Sequence, residues 1–291
     1  MTNEQNPKLF WLASYPKSGN TWTRAFIANL RCAEDEPIHI NELGTGPIAS
    51  SREWVGAAFD FDINELSPDE VDRLRPLAYE WLSNKALEYE YHKTHDGYVY
   101  VDQKKQVPMF PVSATAGALV IVRNPLDVVI SYAHHNNQSS DKTIAALNSE
   151  EHTMCGKTDR TYRQLRQSIG SWSAFNRSWI EAPVHKKVVR YEDMKTNPID
   201  TFTGIAKFLQ LPDDRELVGA ALQKCRIDVL QAQENETPFR EKSIFAKSFF
   251  RKGAVGDWRE QLSSSQVRLI VDQHHEMMFE LGYINEEGEL L

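Results

Sequence analysis

The octapeptide Tyr15-Pro16-Lys17-Ser18-Gly19-Asn20-Thr21-Trp22 gathers a cation, a glycine and hydroxyl side chains in one short stretch. Such groups hold an anion. Gly19 permits the bend that turns main-chain N–H groups toward a phosphate, a helix starting beyond it adds partial positive charge, and Lys17 adds a full one. The ligand this predicts is a phosphate or sulfate ester. In the ordinary phosphate loop, G-x-x-x-x-G-K-[ST], the lysine follows the glycine. Here Lys17 precedes Gly19 and no glycine lies upstream, so a standard ATPase motif is absent. For the octapeptide alone, a solvated Lys17 in an ordinary strand-to-helix turn stays open as the plain alternative.

Other chemistries find less support. Cys32, Cys155 and Cys225 are far apart and lack C-x-x-C spacing, which suggests neither a disulfide framework nor a thiolate zinc site. The adjacent pairs His134-His135 and His274-His275 would point in different directions on a helix, a poor start for a shared metal.

The elements that position the octapeptide follow from hydrophobic pattern. Leu9 to Ala13 read as a strand, Ser14 to Asn20 as a loop, and the segment from Thr21, with Trp22, Ala25, Phe26 and Leu30, as a helix. The arrangement recurs at Ala118 to Val122, where Asn124 can cap and Pro125 can open a helix over Leu126 to His134. It recurs again where Lys187 to Asp193 lead, past Asn197-Pro198, to an amphipathic stretch with Ile199, Phe202, Ile205, Ala206 and Leu209. Residues 65 to 90 read as helix-like and Glu90 to His95 as a short strand. Ser265 to Leu281 carry a helical stripe of Val267, Ile270, Val271, His274, Met278 and Leu281 that closes the core. Asn136 to Arg160 turn polar and are expected to form a surface loop or cover. Strands alternating with helices predict an α/β fold with a central parallel sheet, here in a single domain over residues 1–291.

Composition sets the wider bounds. With 291 residues, 41% hydrophobic and 25% charged, the chain can bury a large core. Lys and Arg number 33 against 41 Asp and Glu, a formal charge of −8, which is the wrong sign for broad attraction to nucleic acid or an anionic membrane. Any bound anion must be met locally. No stretch approaches the ~20 apolar residues of a membrane span and Met1 to Lys8 lack a secretory apolar core, so a soluble cytoplasmic protein is expected.

Three motifs together resemble a known family. Tyr15 to Trp22 is similar to the 5′-phosphosulfate loop of sulfotransferases that use 3′-phosphoadenosine 5′-phosphosulfate (PAPS). Arg123-Asn124-Pro125-x-Asp127-Val128-Val129-x-Ser131-Tyr132 is similar to the family's 3′-phosphate motif, and Arg251-Lys252-Gly253-Ala254-Val255-Gly256-Asp257-Trp258 to its C-terminal signature. The resemblance implies a P-loop-like fold, a motif-bearing core over roughly residues 8–260, and a reaction needing no metal. Lys17, Ser18, Gly19, Asn20 and Thr21 would hold the donor's 5′ end, and Arg123, Ser131, Arg251, Lys252 and Gly253 its 3′-phosphate. Trp22 would lie against adenine, with Ile227 where the family has a phenylalanine, and Tyr191 would bond near the purine.

For chemistry, Tyr91-His92-Lys93-Thr94-His95 looks like the family's Lys-Thr-His segment, which makes His95 the expected general base. A neutral imidazole can take a hydroxyl proton near pH 7 as the oxygen attacks sulfur. Lys17 would stabilise charge on the leaving phosphate oxygen, assisted by Lys93, while Ser131 would influence where the Lys17 ammonium points. The implied reaction is in-line sulfuryl transfer to a hydroxyl, releasing adenosine 3′,5′-bisphosphate. A nucleotide-dependent kinase and a noncatalytic nucleotide-binding module are the competing readings. The first leaves a second phosphate cluster at Arg123 and Arg251 idle, and the second makes His95 dispensable. Acceptor-pocket candidates are Asn41 to Phe61, with Trp54, Phe59 and Phe61, together with His134 to Arg160 and Phe239 to Phe249. Their aromatics suggest an apolar or phenolic alcohol and the polar stretch a sugar or glycosylated product, while the expected lack of a membrane anchor makes the family's cytoplasmic, small-molecule type the closer likeness.

Overall fold

Strand β1, Leu9–Ser14, is six residues long and all six are buried, as expected of a strand covered on both faces. In the computed structural model, which describes residues 6–32, 34–157 and 162–291, β1 pairs in parallel with β2, Glu90–Thr94. Their register runs from Leu9 opposite Glu90 to Ala13 opposite Thr94. The other strands are β3 (Tyr100–Asp102), β4 (Val107–Pro108), β5 (Thr115–Val122), β6 (Thr153–Met154), β7 (Gln167–Ser168) and β8 (Lys186–Arg190). The central parallel sheet has the order β2-β1-β5-β8 and is flanked by helices; β3 with β4 and β6 with β7 form small separate ribbons.

The helices are α1 (Asn20–Arg31), α2 (Arg52–Gly56), α3 (Pro68–Lys85), α4 (Pro125–Asn136), α5 (Ser140–Asn148) and α6 (Trp172–Glu181). They continue with α7 (Tyr191–Thr196), α8 (Pro198–Phe208), α9 (Arg215–Lys224), α10 (Ile227–Glu236) and α11 (Ser264–Glu280). Local chemistry explains their starts. Ser67 and Glu70 form a reciprocal capping box on α3, and Ser263 with Gln266 does the same for α11. Asn124 accepts from Leu126 N–H and Pro125 opens α4, as its sequence predicts.

The chain divides into two compact units, one formed by Met1–Tyr15, Gly46–Val120 and Glu150–Val188, the other by Pro16–Thr45, Ile121–Ser149 and Val189–Leu291. The first is built around large aromatics. Phe110 sits with its ring centroid 4.9 Å from Trp11 and 5.0 Å from Trp179, and stacks on Tyr79. In the second, Phe202 of α8 meets Trp22 and Phe26 of α1 at 5.0 and 4.6 Å, and Ile270, Met277 and Met278 of α11 are buried.

Two expectations need correction. The polar stretch from Asn136 is not simply a surface loop. It contains α5, capped by Ser139 and anchored by buried Thr143, Ile144 and Leu147, and strand β6; its last residues, Thr158 to Arg160, lie outside those described. An apolar stripe of so few residues gives little periodic signal. The third strand ends at Arg190, and Tyr191 to Asp193 already belong to α7.

Candidate active site

The loop after β1 has the backbone its composition predicts. Lys17 and Gly19 both take positive φ, 70° and 108°, and α1 begins at Asn20 with no side chain capping it. A Cβ on Gly19 would stand 2.7 Å from Cδ2 of Tyr191, so glycine is required here both by conformation and by space. Ser18 is fully buried, and its hydroxyl has no hydrogen-bond partner. A buried unsatisfied hydroxyl beside an uncapped helix start is costly unless a ligand completes it. Asn20 and Thr21 are buried in the first turn of α1. The Lys17 ammonium lies 3.8 Å from the centroid of Phe249. Phe249 is held in turn by Glu234 of α10, whose carboxylate accepts from the N–H groups of Phe249 and Phe250 at 2.7 and 2.9 Å.

The other two motifs meet this loop in the second unit. Arg123 donates to the carbonyls of Lys17 and Ala254, each at 3.0 Å, and its guanidinium lies 4.5 Å above the ring of Tyr191. Tyr191 donates its hydroxyl to Gly253 O at 3.1 Å, and burial pushes its phenol up from the ordinary range. Tyr191 thus touches Arg123 and Gly253 directly and leaves Gly19 no room for a side chain. Arg251 and Lys252 both pair with the carboxylate of Asp257. Burial would raise that carboxyl, but hydrogen bonds from Lys252 and Arg251, with their positive charges, outweigh it and hold the group at about 2.

Three acidic residues in this region carry functions that sequence reasoning did not assign. Asp127, buried in the first turn of α4, accepts from Gly256 N–H at 2.7 Å and from Trp258 N–H at 3.2 Å, tying the loop after Arg251 to the Arg123 segment. Glu192 accepts from Asn124 N–H and from the hydroxyl of Tyr283, at 3.0 and 2.9 Å; burial pushes its carboxyl up. Asp257 is the third. Only Asp127 had a local signal, its place in the first turn after a proline.

His95 and Lys93 belong to the first unit. His95 is 9% exposed, and its Nδ1 lies 2.7 Å from Ser14 O. A carbonyl only accepts, so Nδ1 donates to Ser14 O, and a neutral ring in this pose carries its lone pair at Nε2. His92 differs: Nδ1 faces Pro47 O and Nε2 faces the Glu90 carboxylate, both at 2.9 Å, and the ring stacks on Trp54 at 4.1 Å. Both His92 nitrogens are thus engaged within the protein, and neither faces a hydroxyl donor. Lys93 is half-buried on β2.

Among the remaining candidates, Ser131 is half-buried on α4, and Trp22 is half-buried against Phe202 and Tyr191, with the Lys195 ammonium 5.4 Å from its ring. Ile227, the first residue of α10, lies where a Cβ on Gly253 would contact it at 3.6 Å. A cavity of 380 Å³ opens in the second unit between residues 40–45 and 239–241, lined by Arg24, Asn41, Glu42, Thr45, Phe239 and Glu241 among others. Of the aromatic acceptor candidates, Trp54 is engaged with His92, Phe59 contacts Phe61 at 5.3 Å, and Phe61 is exposed.

Comparison with known proteins converges on one family. The family model of the sulfotransferase domain matches residues 7–282. Cytosolic sulfotransferase 1 of Arabidopsis thaliana is 26% identical over 275 residues, covering 90% of this chain and 77% of that protein. Flavonol 3-sulfotransferase of Flaveria bidentis is 23% identical, covering 92% and 81%. Among solved structures, mouse sulfotransferase SULT7A1 complexed with PAP superposes with a TM-score of 0.59 at 19% identity, over 94% of this chain and 84% of that one.

Proposed function

Because the chain belongs to the sulfotransferase domain family, we propose that it transfers a sulfuryl group from PAPS to a hydroxyl of a small-molecule acceptor, with His95 as general base. The observation that carries this reading is the gathering of three motifs at Tyr191, which bonds Gly253, lies under Arg123 and packs against Gly19. A donor charged at both ends needs two cationic clusters at one nucleoside site, and an ATP-dependent kinase needs only one. The buried Ser18 hydroxyl, which has no partner, and the start of α1, which no side chain caps, suit a 5′-phosphosulfate.

In this reading His95 Nε2 accepts the acceptor's hydroxyl proton while that oxygen bonds to sulfur and the bond from sulfur to the bridging phosphate oxygen breaks. The Nδ1–H···O=C bond to Ser14 supports the imidazolium that forms. Lys17 meets the charge that collects on the phosphate oxygen of departing adenosine 3′,5′-bisphosphate, and its resting place on Phe249 keeps the ammonium close to the loop. Lys93 assists, and Ser131 influences where Lys17 points. Trp22 and Ile227 flank adenine; Asn20, Thr21, Gly19 and Ser18 bind the 5′ end; and Arg123, Arg251, Lys252 and Gly253 bind the 3′ end.

The name of the flavonol relative supports a small hydroxylated acceptor. The 380 Å³ cavity is of a size to admit one. Among the described residues no helix is long and apolar enough to cross a membrane, and the Arabidopsis relatives are named cytosolic, which supports a cytoplasmic enzyme. The test has two parts. Calorimetric titration should rank adenosine 3′,5′-bisphosphate above adenosine 5′-monophosphate and above ATP with magnesium; preference for ATP would reverse the reading. A screen of hydroxyl compounds with radiolabelled donor should then yield a labelled ester, lost in both Lys17→Ala and His95→Ala, with donor affinity retained only in the latter.

A further inference from the structure

The residue after His95 is the most heavily anchored point in the first unit. Asp96 is fully buried and pairs with Arg75 of α3, also fully buried: its Oδ2 accepts from Arg75 Nη2 at 2.6 Å and its Oδ1 from Nη1 at 3.2 Å. Oδ1 also accepts from Ser168 N–H at 2.9 Å. The Asp96 carbonyl accepts from Trp179 Nε1 at 2.9 Å, and its N–H donates to Thr94 Oγ1 at 3.1 Å. The next N–H, from Gly97, donates to Ser168 O at 2.8 Å.

Arg75 also donates to the Tyr79 hydroxyl at 2.9 Å, to Asp72 at 3.5 Å and to the Arg166 carbonyl at 3.1 Å, so the pair lies in a wider network. A buried ion pair is a weak source of stability, because taking both charges from water costs about as much as their attraction returns, and apolar pairs of similar volume commonly replace such pairs without loss. What the pair does achieve is a backbone around residue 95 with no freedom to rotate. His95 needs that: its Nδ1–H must point at Ser14 O, and in a neutral ring that bond places the lone pair on Nε2.

We infer that Asp96, gripped by Arg75, is a positioning residue that holds the His95 imidazole on Ser14 O and so keeps Nε2 as the unprotonated nitrogen. The inference deepens the reading of His95 as base and rests on it for its role in the reaction, but the tautomer can be measured independently. Nitrogen NMR of histidine-labelled full-length protein, with His95 assigned by its loss in His95→Gln, reads the proton position directly. Wild type should show the Nδ1–H form.

The double variant Arg75→Met/Asp96→Leu replaces the buried pair by apolar side chains and also removes the acceptor of Ser168 N–H; in the folded variant His95 should become a mixture of tautomers. Its kcat with 2-naphthol as probe acceptor should fall about a hundredfold, the cost of misplacing a reacting group by about an ångström, with the KM for donor unchanged. An unchanged His95 tautomer in the folded double variant overturns the inference and leaves the base reading intact. A shifted tautomer with wild-type turnover supports the inference and removes His95 as base. Should the double variant not fold, Trp179→Phe, which deletes the bond to the Asp96 carbonyl while keeping an aromatic ring against Phe110, and Asp96→Asn carry the same NMR measurement. Wild-type spectra in both overturn the inference.

Discussion

Asp127 offers the sharpest test of how the proposed 3′-phosphate end of the donor site is held together. Its carboxylate accepts from the N–H groups of Gly256 and Trp258 while lying at 1% exposure, so it and the buried Trp258 N–H lack water as an alternative partner. In Asp127→Asn one of the two oxygens becomes an NH₂, a second donor facing an N–H that needs an acceptor. The variant loses one charge-assisted bond and strands one buried N–H, a cost of about 1.5–3 kcal/mol. The segment so loosened continues directly from Arg251 and Lys252. If binding the 3′-phosphate must restore its order, affinity for adenosine 3′,5′-bisphosphate drops by roughly ten- to a hundredfold, at about 1.4 kcal/mol per decade. Adenosine 5′-monophosphate, which has no 3′ group, should bind as it does to wild type. Paired calorimetric titrations read both affinities, with the thermal midpoint as a control for global folding. Equal weakening of the two nucleotides, or of neither, would refute the idea that Asp127 acts through the 3′-phosphate loop.

Three further outcomes follow from single side chains. Ser18→Ala removes a buried hydroxyl that has no partner, so thermal stability of the ligand-free protein should hold or rise by up to ~1 kcal/mol while bisphosphate affinity falls; a parallel loss of both in melting and titration would rule out a ligand-binding role. Gly19→Ala must place a methyl 2.7 Å from the Tyr191 ring at φ 108°, and should lower stability by at least ~1 kcal/mol and shift the melting midpoint accordingly, whereas an unshifted midpoint contradicts the packing described. His274, buried and donating from Nε2 to Asn148 at 3.0 Å, has its pKa lowered by burial from 6.5 to about 4. The unfolded chain then binds this proton first, so His274 favours the folded state fully above pH 6.5 and loses up to about 3 kcal/mol of that contribution as pH falls toward 4. Melting of wild type and His274→Gln between pH 7 and 4.5 should diverge in slope, and identical slopes would dismiss the assignment.

Much of this site was legible because its groups sit beside strong local signals. The buried strand before Tyr15 and the apolar helix after Thr21 frame the anion loop, and Asn124-Pro125 announces a helix start. Residues whose roles depend on distant partners left no such trace. Asp127 meets Gly256 across 129 positions and Glu192 meets Tyr283 across 91, and nothing in the spacing of an acidic residue says which N–H or hydroxyl it will find. The same holds for the pair His92 and His95. Sequence likeness favours His95, but the physical difference, that Pro47 O and the Glu90 carboxylate engage both nitrogens of His92 whereas Ser14 O meets Nδ1 of His95, lies in distant partners. Helix α5 was missed because Thr143, Ile144 and Leu147 make too small a stripe to stand out in a polar stretch.

The cations proposed for the 3′-phosphate are not held as bare charges. Arg123 already bonds two carbonyls, and Arg251 and Lys252 share Asp257, whose carboxyl at about 2 stays ionised at any ordinary pH. This arrangement answers a difficulty set by the sequence. A chain of net charge −8 must concentrate positive groups at one nucleoside site, and unpaired they would repel one another and leave flexible side chains to be ordered on binding. Asp257 removes both costs beforehand. In the proposed reading, an arriving phosphate meets guanidinium and ammonium groups held in place by Asp257, with their remaining N–H donors left to bond it. Affinity is given up to the internal carboxylate, and what is gained is selection: a ligand must bring enough charge and the right second anchor at the Lys17 loop to bind well, a condition met by a nucleotide phosphorylated at both ends and missed by a lone phosphate.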